Sequence, residues 1–130
     1  MKKRNVIKEK ENSLKFLINA IKTLSYELEE HDQSLVSSLG DYLTEDIATE
    51  WEPELVASYV NIALNELNMD KEAVNLLKII DKRFEEASSK GSLFEEKIWT
   101  LDGLKDHPFW AEQRRLAKEL LQELEKIQIS

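Results

Sequence analysis

The sequence predicts an all-α fold, a single-domain helical bundle of four longer and two shorter helices spanning residues 1–130. Three observations predict it. Only three glycines and two prolines punctuate the chain, far fewer than a set of short strands and tight turns uses. Apolar residues recur at spacings of three and four, the period of one helical face. The composition is 42% hydrophobic and 34% charged, so the chain is apolar enough to fold and too charged to sit in a bilayer. A chain of this size buries roughly two thirds of the surface its unfolded form exposes, which suffices for one core.

The first helix is expected from the first ten residues to about Glu30, carrying the stripe Leu14, Leu17, Ile18, Ile21, Leu24 and Leu28. Its basic opening (Lys2, Lys3, Arg4) opposes the positive end of the helix dipole, so the first several residues are expected to fray. Asp32 is placed to cap a short second helix with Leu35, Val36, Leu39 and Leu43, in which Gly40 is the weak point. Thr44 is a candidate cap for the stretch that follows. Pro53 suits a first helical position ahead of the stripe Leu55, Val56, Tyr59, Ile62, Ala63 and Leu67. Asn68 closes that helix and Asp70 opens the next, whose inward residues are Ala73, Val74, Leu77, Ile80, Phe84 and Ala87. The two should form an antiparallel hairpin.

After a loop at 88–91, Ser92 and Glu95 have capping-box spacing before a short helix with Leu93, Phe94, Ile98 and Leu101. Asp102 and Gly103 are expected to break it. Asp106, His107 and Pro108 then launch a last helix with the stripe Trp110, Ala117, Leu120, Leu121, Leu124 and Ile127. The turn at Leu67 and Asn68, with Glu72 and Ala73 after it, resembles a tetratricopeptide unit over about thirty residues; no second copy follows at the roughly thirty-four-residue period of such arrays.

Several functions are disfavoured. With no cysteine there is no thiol nucleophile, disulfide or Cys-based zinc site. Neither His31 nor His107 belongs to an H-E-x-x-H or E-x-x-H pattern. The Glu27–His31 spacing reads as a surface contact and His107 as part of a helix start, so no metal, cofactor or catalytic residue is expected. No serine elbow or glycine-rich phosphate loop is present. No run approaches the roughly eighteen apolar residues of a spanning helix, and charges interrupt the N-terminus where a signal peptide is apolar. The expectation is a cytoplasmic, non-enzymatic protein that binds neither nucleic acid nor membrane.

Charge is strongly segregated along the chain. From Thr23 to Asp70 there is no lysine or arginine but twelve carboxylates, a charge of −12 in 48 residues. The first 22 residues carry +5 and the last 60 carry −1. A concentrated patch of one sign costs stability through self-repulsion, which points to a cationic surface nearby. Asp41, Tyr42, Glu45, Asp46, Glu50, Trp51, Glu52 and Glu54 combine aromatic anchors with a charged rim and form the candidate partner-binding site. Trp51 falls at a helix junction, where a core position is the competing reading. The basic first helix is a rival occupant of the acidic segment, within the fold or across a homodimer.

A small acidic helical bundle of this kind resembles the immunity proteins of bacterial bacteriocin and contact-dependent toxin systems. The segment Leu104, Lys105, Asp106, His107, Pro108, Phe109 and Trp110, continuing to Arg115, Leu116 and Ala117, looks like the closing helix of some of them. The resemblance implies a toxin domain as partner, with carboxylates covering a basic active site by imitating a nucleic-acid backbone. The alternative is a helical adaptor or self-associating structural protein with no toxin partner.

Overall fold

The computed structural model describes residues 15–88 and 90–129, with side chains as far as Lys126, and contains no strand among them. Seven α-helices follow in order: α1 (15–25), α2 (Gln33–Leu39), α3 (Tyr42–Thr49), α4 (Pro53–Asn65), α5 (Lys71–Ala87), α6 (Leu101–Asp106) and α7 (Pro108–Ile129). Single 3-10 turns lie at Leu28–Glu30 and Glu96–Trp99. Helix α5 packs between α4 and α7, while α6 packs on α7 and on the Glu96–Trp99 turn. The same turn and α6 receive α3. No helix among the described residues is long and apolar enough to cross a membrane.

Periodicity governs the long helices. All six inward residues expected on α5 are buried, from Ala73 to Ala87. On α7, Trp110, Ala117, Leu120 and Leu124 are buried together with Phe109 and Leu116, and Leu121 is half-buried. On α1, Leu17, Ala20, Ile21 and Leu24 enter the same core, and Phe16 reaches the Tyr59 ring of α4 at 6.2 Å between centroids. Leu14, the first several residues, for which fraying was expected, and the side chain of Ile127 lie outside the described residues.

Polar residues set most helix ends. Asp32 accepts from the Ser34 N–H at 2.9 Å, and Asp70 from the Ala73 N–H at 2.9 Å, each satisfying an amide that the first turn leaves orphaned. Pro53 occupies the first turn of α4 after an extended Glu52. Asn68, at φ +50°, takes the left-handed conformation that reverses the chain between α4 and α5. His107 caps α7: its Nδ1 accepts from the Phe109 N–H at 3.0 Å. That bond leaves the proton on Nε2, which donates to Glu95 at 2.7 Å.

Five local expectations are corrected. Helix α1 stops at residue 25, where the Ser25 hydroxyl donates to the Lys22 carbonyl at 2.6 Å and the Tyr26 N–H to the Thr23 carbonyl, turning the chain out of the helix before Glu30. Gly40, at φ +54° and ψ −132°, divides α2 from α3 rather than weakening one helix, so Leu43 belongs to α3. Thr44 is a buried residue inside α3, and its hydroxyl donates back to the Asp41 carbonyl at 2.8 Å instead of capping. The Ser92–Glu95 capping box does not form, because Glu95 is taken by His107. Leu93 and Phe94 consequently stay exposed, and only the Glu96–Trp99 turn is helical there.

Gly103 is the sharpest of these differences. It sits inside α6, buried, with its N–H donated to the Thr100 hydroxyl at 2.9 Å. A Cβ at this position would lie 1.7 Å from the Lys97 carbonyl oxygen. The glycine therefore allows α6 to approach the backbone of the preceding turn, and does not break a helix. Gly103→Ala is expected to destabilise the protein by about 2–3 kcal/mol, since backbone must move to admit the methyl group. Gly40→Ala meets no neighbour; it should cost about 1 kcal/mol through strain at positive φ alone. Urea midpoints of the two variants test both the size and the order of these effects.

Candidate functional site

The acidic segment does not form one uniform face. Asp32 and Asp70 serve as caps. Glu27 lies 3.4 Å from the guanidinium of the buried Arg114, and Glu30 accepts from the Glu27 N–H at 2.7 Å. His31, expected in a surface contact with Glu27, is instead buried edge-on to Tyr26 at 5.6 Å between ring centroids. Burial, with a smaller contribution from Arg114, holds its imidazole below the usual histidine range against the opposing pull of Glu30. Five other carboxylates, Glu45, Asp46, Glu50, Glu52 and Glu54, lie where α3 runs into α4.

The eight candidate partner-binding residues separate accordingly. Asp41 is structural: its Oδ1 accepts from the Leu101 N–H at 2.8 Å, sixty residues away, and so pins the start of α3 to the start of α6. Tyr42 is 71% exposed. Glu45, Asp46, Glu52 and Glu54 are exposed, and no cation pairs with any of them among the described residues. Glu50 is half-buried, and its backbone carbonyl accepts from the Tyr59 hydroxyl at 2.6 Å. Burial and then the charge of Asp46 push the Glu50 carboxyl above its ordinary value. The Tyr59 phenol is raised by burial and by Glu50.

Trp51 is a core residue, 1% exposed, packed edge to face against Tyr59 at 5.6 Å between centroids. It is no surface anchor, because the short link Glu50–Glu52 turns its side chain inward between α3 and α4. Its indole N–H is buried with no acceptor among the described residues.

What the fold builds beside this junction is an open groove of about 690 Å³ between α3, the start of α4, the second half of α5 and the 94–99 segment. Its apolar lining includes Trp51, Phe84, Phe94 and Trp99. The Trp99 ring is fixed by its N–H, which donates to the Ala87 carbonyl at 3.0 Å. Its charged lining is Glu45, Glu52, Asp81, Glu85 and Glu96, and no lysine, arginine or histidine among the described residues lines it. Asp81 is pushed above the ordinary aspartate range by burial and by Glu85, one turn away on the same helix.

The groove thus brings together Glu45, Trp51 and Glu52 from the sequence-based set and leaves Asp41, Tyr42, Asp46, Glu50 and Glu54 outside its lining. Sequence reasoning missed Asp81, Glu85 and Glu96. The one local signal was the four-residue spacing of Asp81 and Glu85 alongside Phe84, which puts two carboxylates at the edge of the buried stripe. Among the described residues no group of three or more His, Asp or Glu side chains is arranged to hold a metal ion.

Glu50 offers a pH test of this charge crowding. Its folded carboxyl holds a proton more tightly than the unfolded value of 4.5. Wild-type stability is therefore fully present below 4.5 and a cost appears as pH rises through the folded value. Glu50→Gln should be more stable than wild type at neutral pH, and the difference should shrink below the ordinary carboxylate range in thermal denaturation. No protein family, curated protein or solved structure matches the chain.

Proposed function

We propose that this chain is a non-enzymatic protein-binding module that engages a basic surface of a partner protein through the α3–α4 junction and the groove beside it. One observation carries the reading. Exposed carboxylates converge there from three parts of the chain without a cation among the described residues to neutralise them, whereas Glu27 and the capping aspartates of the same acidic stretch are engaged internally. Such a field accelerates encounter with an oppositely charged protein and disfavours partners of like charge. A toxin-neutralising immunity protein is the most specific form of this reading, and it draws on the resemblance in size, charge and closing-helix sequence. Co-expression and co-purification with small basic toxin domains tests it. Glu45→Lys, Asp46→Lys and Glu52→Lys combined should slow association by about tenfold or more at low salt. Salt-insensitive binding that survives the triple reversal would sink the proposed interface.

A second reading, a self-associating structural protein, is favoured by the opposite charge of the first helix and the acidic middle: Lys15 and Lys22 are exposed on α1, and the carboxylates of the α3–α4 junction are exposed as well. It requires a dimer that dissociates with salt. Light scattering at high concentration and low salt decides it, since a monomer under those conditions ends this reading.

A further inference from the structure

The groove discriminates among basic partners, because its chemistry is not charge alone. Five carboxylates form its charged lining and four aromatic side chains contribute to its apolar lining. A purely cationic surface satisfies the first feature and wastes the second. We infer that the groove takes a partner segment in which an apolar or aromatic side chain is flanked by lysines or arginines, the apolar group seated on Phe94 and Trp99 and the cations on Glu45, Asp81 and Glu96. The assignment rests on the reading that the partner is a basic protein and names the kind of segment it presents.

Two independent features of the site support this occupant. The first is electrostatic: Asp81 and Glu85 lie one turn apart on α5 without an ion pair among the described residues, so an incoming cation relieves repulsion already present in the folded protein. The second is apolar surface held at the solvent boundary. Phe94 is 39% exposed and its neighbour Leu93 is 42% exposed, and the segment is fixed there by the Leu93 N–H on the Glu86 carbonyl at 2.8 Å and by Glu95 on His107. The two bonds hold the segment at the surface, where a docking segment would cover these side chains. Arginine or lysine beside Trp99 or Phe94 would add attraction to the ring faces.

The test uses the full chain and two fluorescent peptides of equal positive charge, one built on Lys-Lys-Phe-Lys-Lys and one with glycine in place of phenylalanine. Fluorescence anisotropy should give the phenylalanine peptide an affinity about tenfold or more above the glycine peptide, the amount expected for burying one aromatic side chain. Ala48→Trp, which fills the groove without changing its charge, and Phe94→Ala, which trims its apolar lining from an exposed loop, should each reduce the two peptides to the same weak, salt-sensitive affinity. Melting curves establish that both variants fold. Equal affinity of the two peptides for the wild-type protein overturns the groove assignment and leaves the basic-partner reading standing. A phenylalanine preference that persists in both folded variants overturns the assignment as well. Binding of neither peptide overturns both readings, and self-association that excludes both peptides gives the groove to a second copy of the chain.

Discussion

The indole of Trp110 is the interaction on which the C-terminal half of the molecule depends. It is fully buried at the start of α7, and its N–H donates to the Ile98 carbonyl at 2.7 Å, which ties an otherwise irregular turn to the core. Trp99 meets it edge to face at 6.1 Å between centroids, and Phe84 and Phe109 meet it at 5.7 and 5.2 Å. Edge-to-face pairs of this kind stabilise beyond their buried area and hold ring directions. The Glu96–Trp99 turn therefore has a fixed place although it contains a single fully buried side chain, Ile98. Beside it, Gln113 is fully buried with both ends of its amide engaged: it accepts from Arg83 Nε at 2.9 Å and donates to the Ile80 carbonyl at 3.2 Å, locking α5 to α7. The wall and floor of the groove are outcomes of this packing.

Much of the architecture was legible because it is local. The stripe on α5, the caps Asp32 and Asp70, the proline opening α4 and the turn at Asn68 each need only a few neighbouring residues, and each was readable from spacing and residue type. The stretch from 92 to 103 was not legible, for the opposite reason. Ser92 and Glu95 satisfy a local motif, but Glu95 has a better partner twelve residues on in His107. Gly103 looked like a breaker because a glycine inside a helix usually weakens it, and its actual role, close approach to the Lys97 carbonyl, exists only once two elements have docked.

The candidate site divides along the same line. Charge counting along the sequence located Glu45 and Glu52 because no lysine or arginine lies between Thr23 and Asp70. It passed over Asp81, Glu85 and Glu96, which lie in a half of the chain whose charges nearly cancel. Cancellation in a sum is not neutralisation in space. Lys82 pairs with Glu86 and does not line the groove, so no ion pair among the described residues neutralises the carboxylates at 81 and 85. Trp51 shows the converse: an aromatic among acidic neighbours in sequence has the composition of an interface, yet the turn between α3 and α4 places it in the core.

The hydrogen bond from the Leu101 N–H to Asp41 spans sixty residues and joins the wall of the groove formed by α3 to the part of the chain that forms its far side. A site assembled from such distant segments exists only in the folded molecule. An occupant of the kind proposed would bind the native state and not the unfolded chain, and by mass action each tenfold excess of it over its Kd would add about 1.4 kcal/mol to the free energy of unfolding. For a protein whose acidic junction is stabilised by no cation of its own among the described residues, such a partner would act as a thermodynamic part of the fold. Resistance to unfolding would track partner concentration, so that the free and the engaged protein would differ in lifetime.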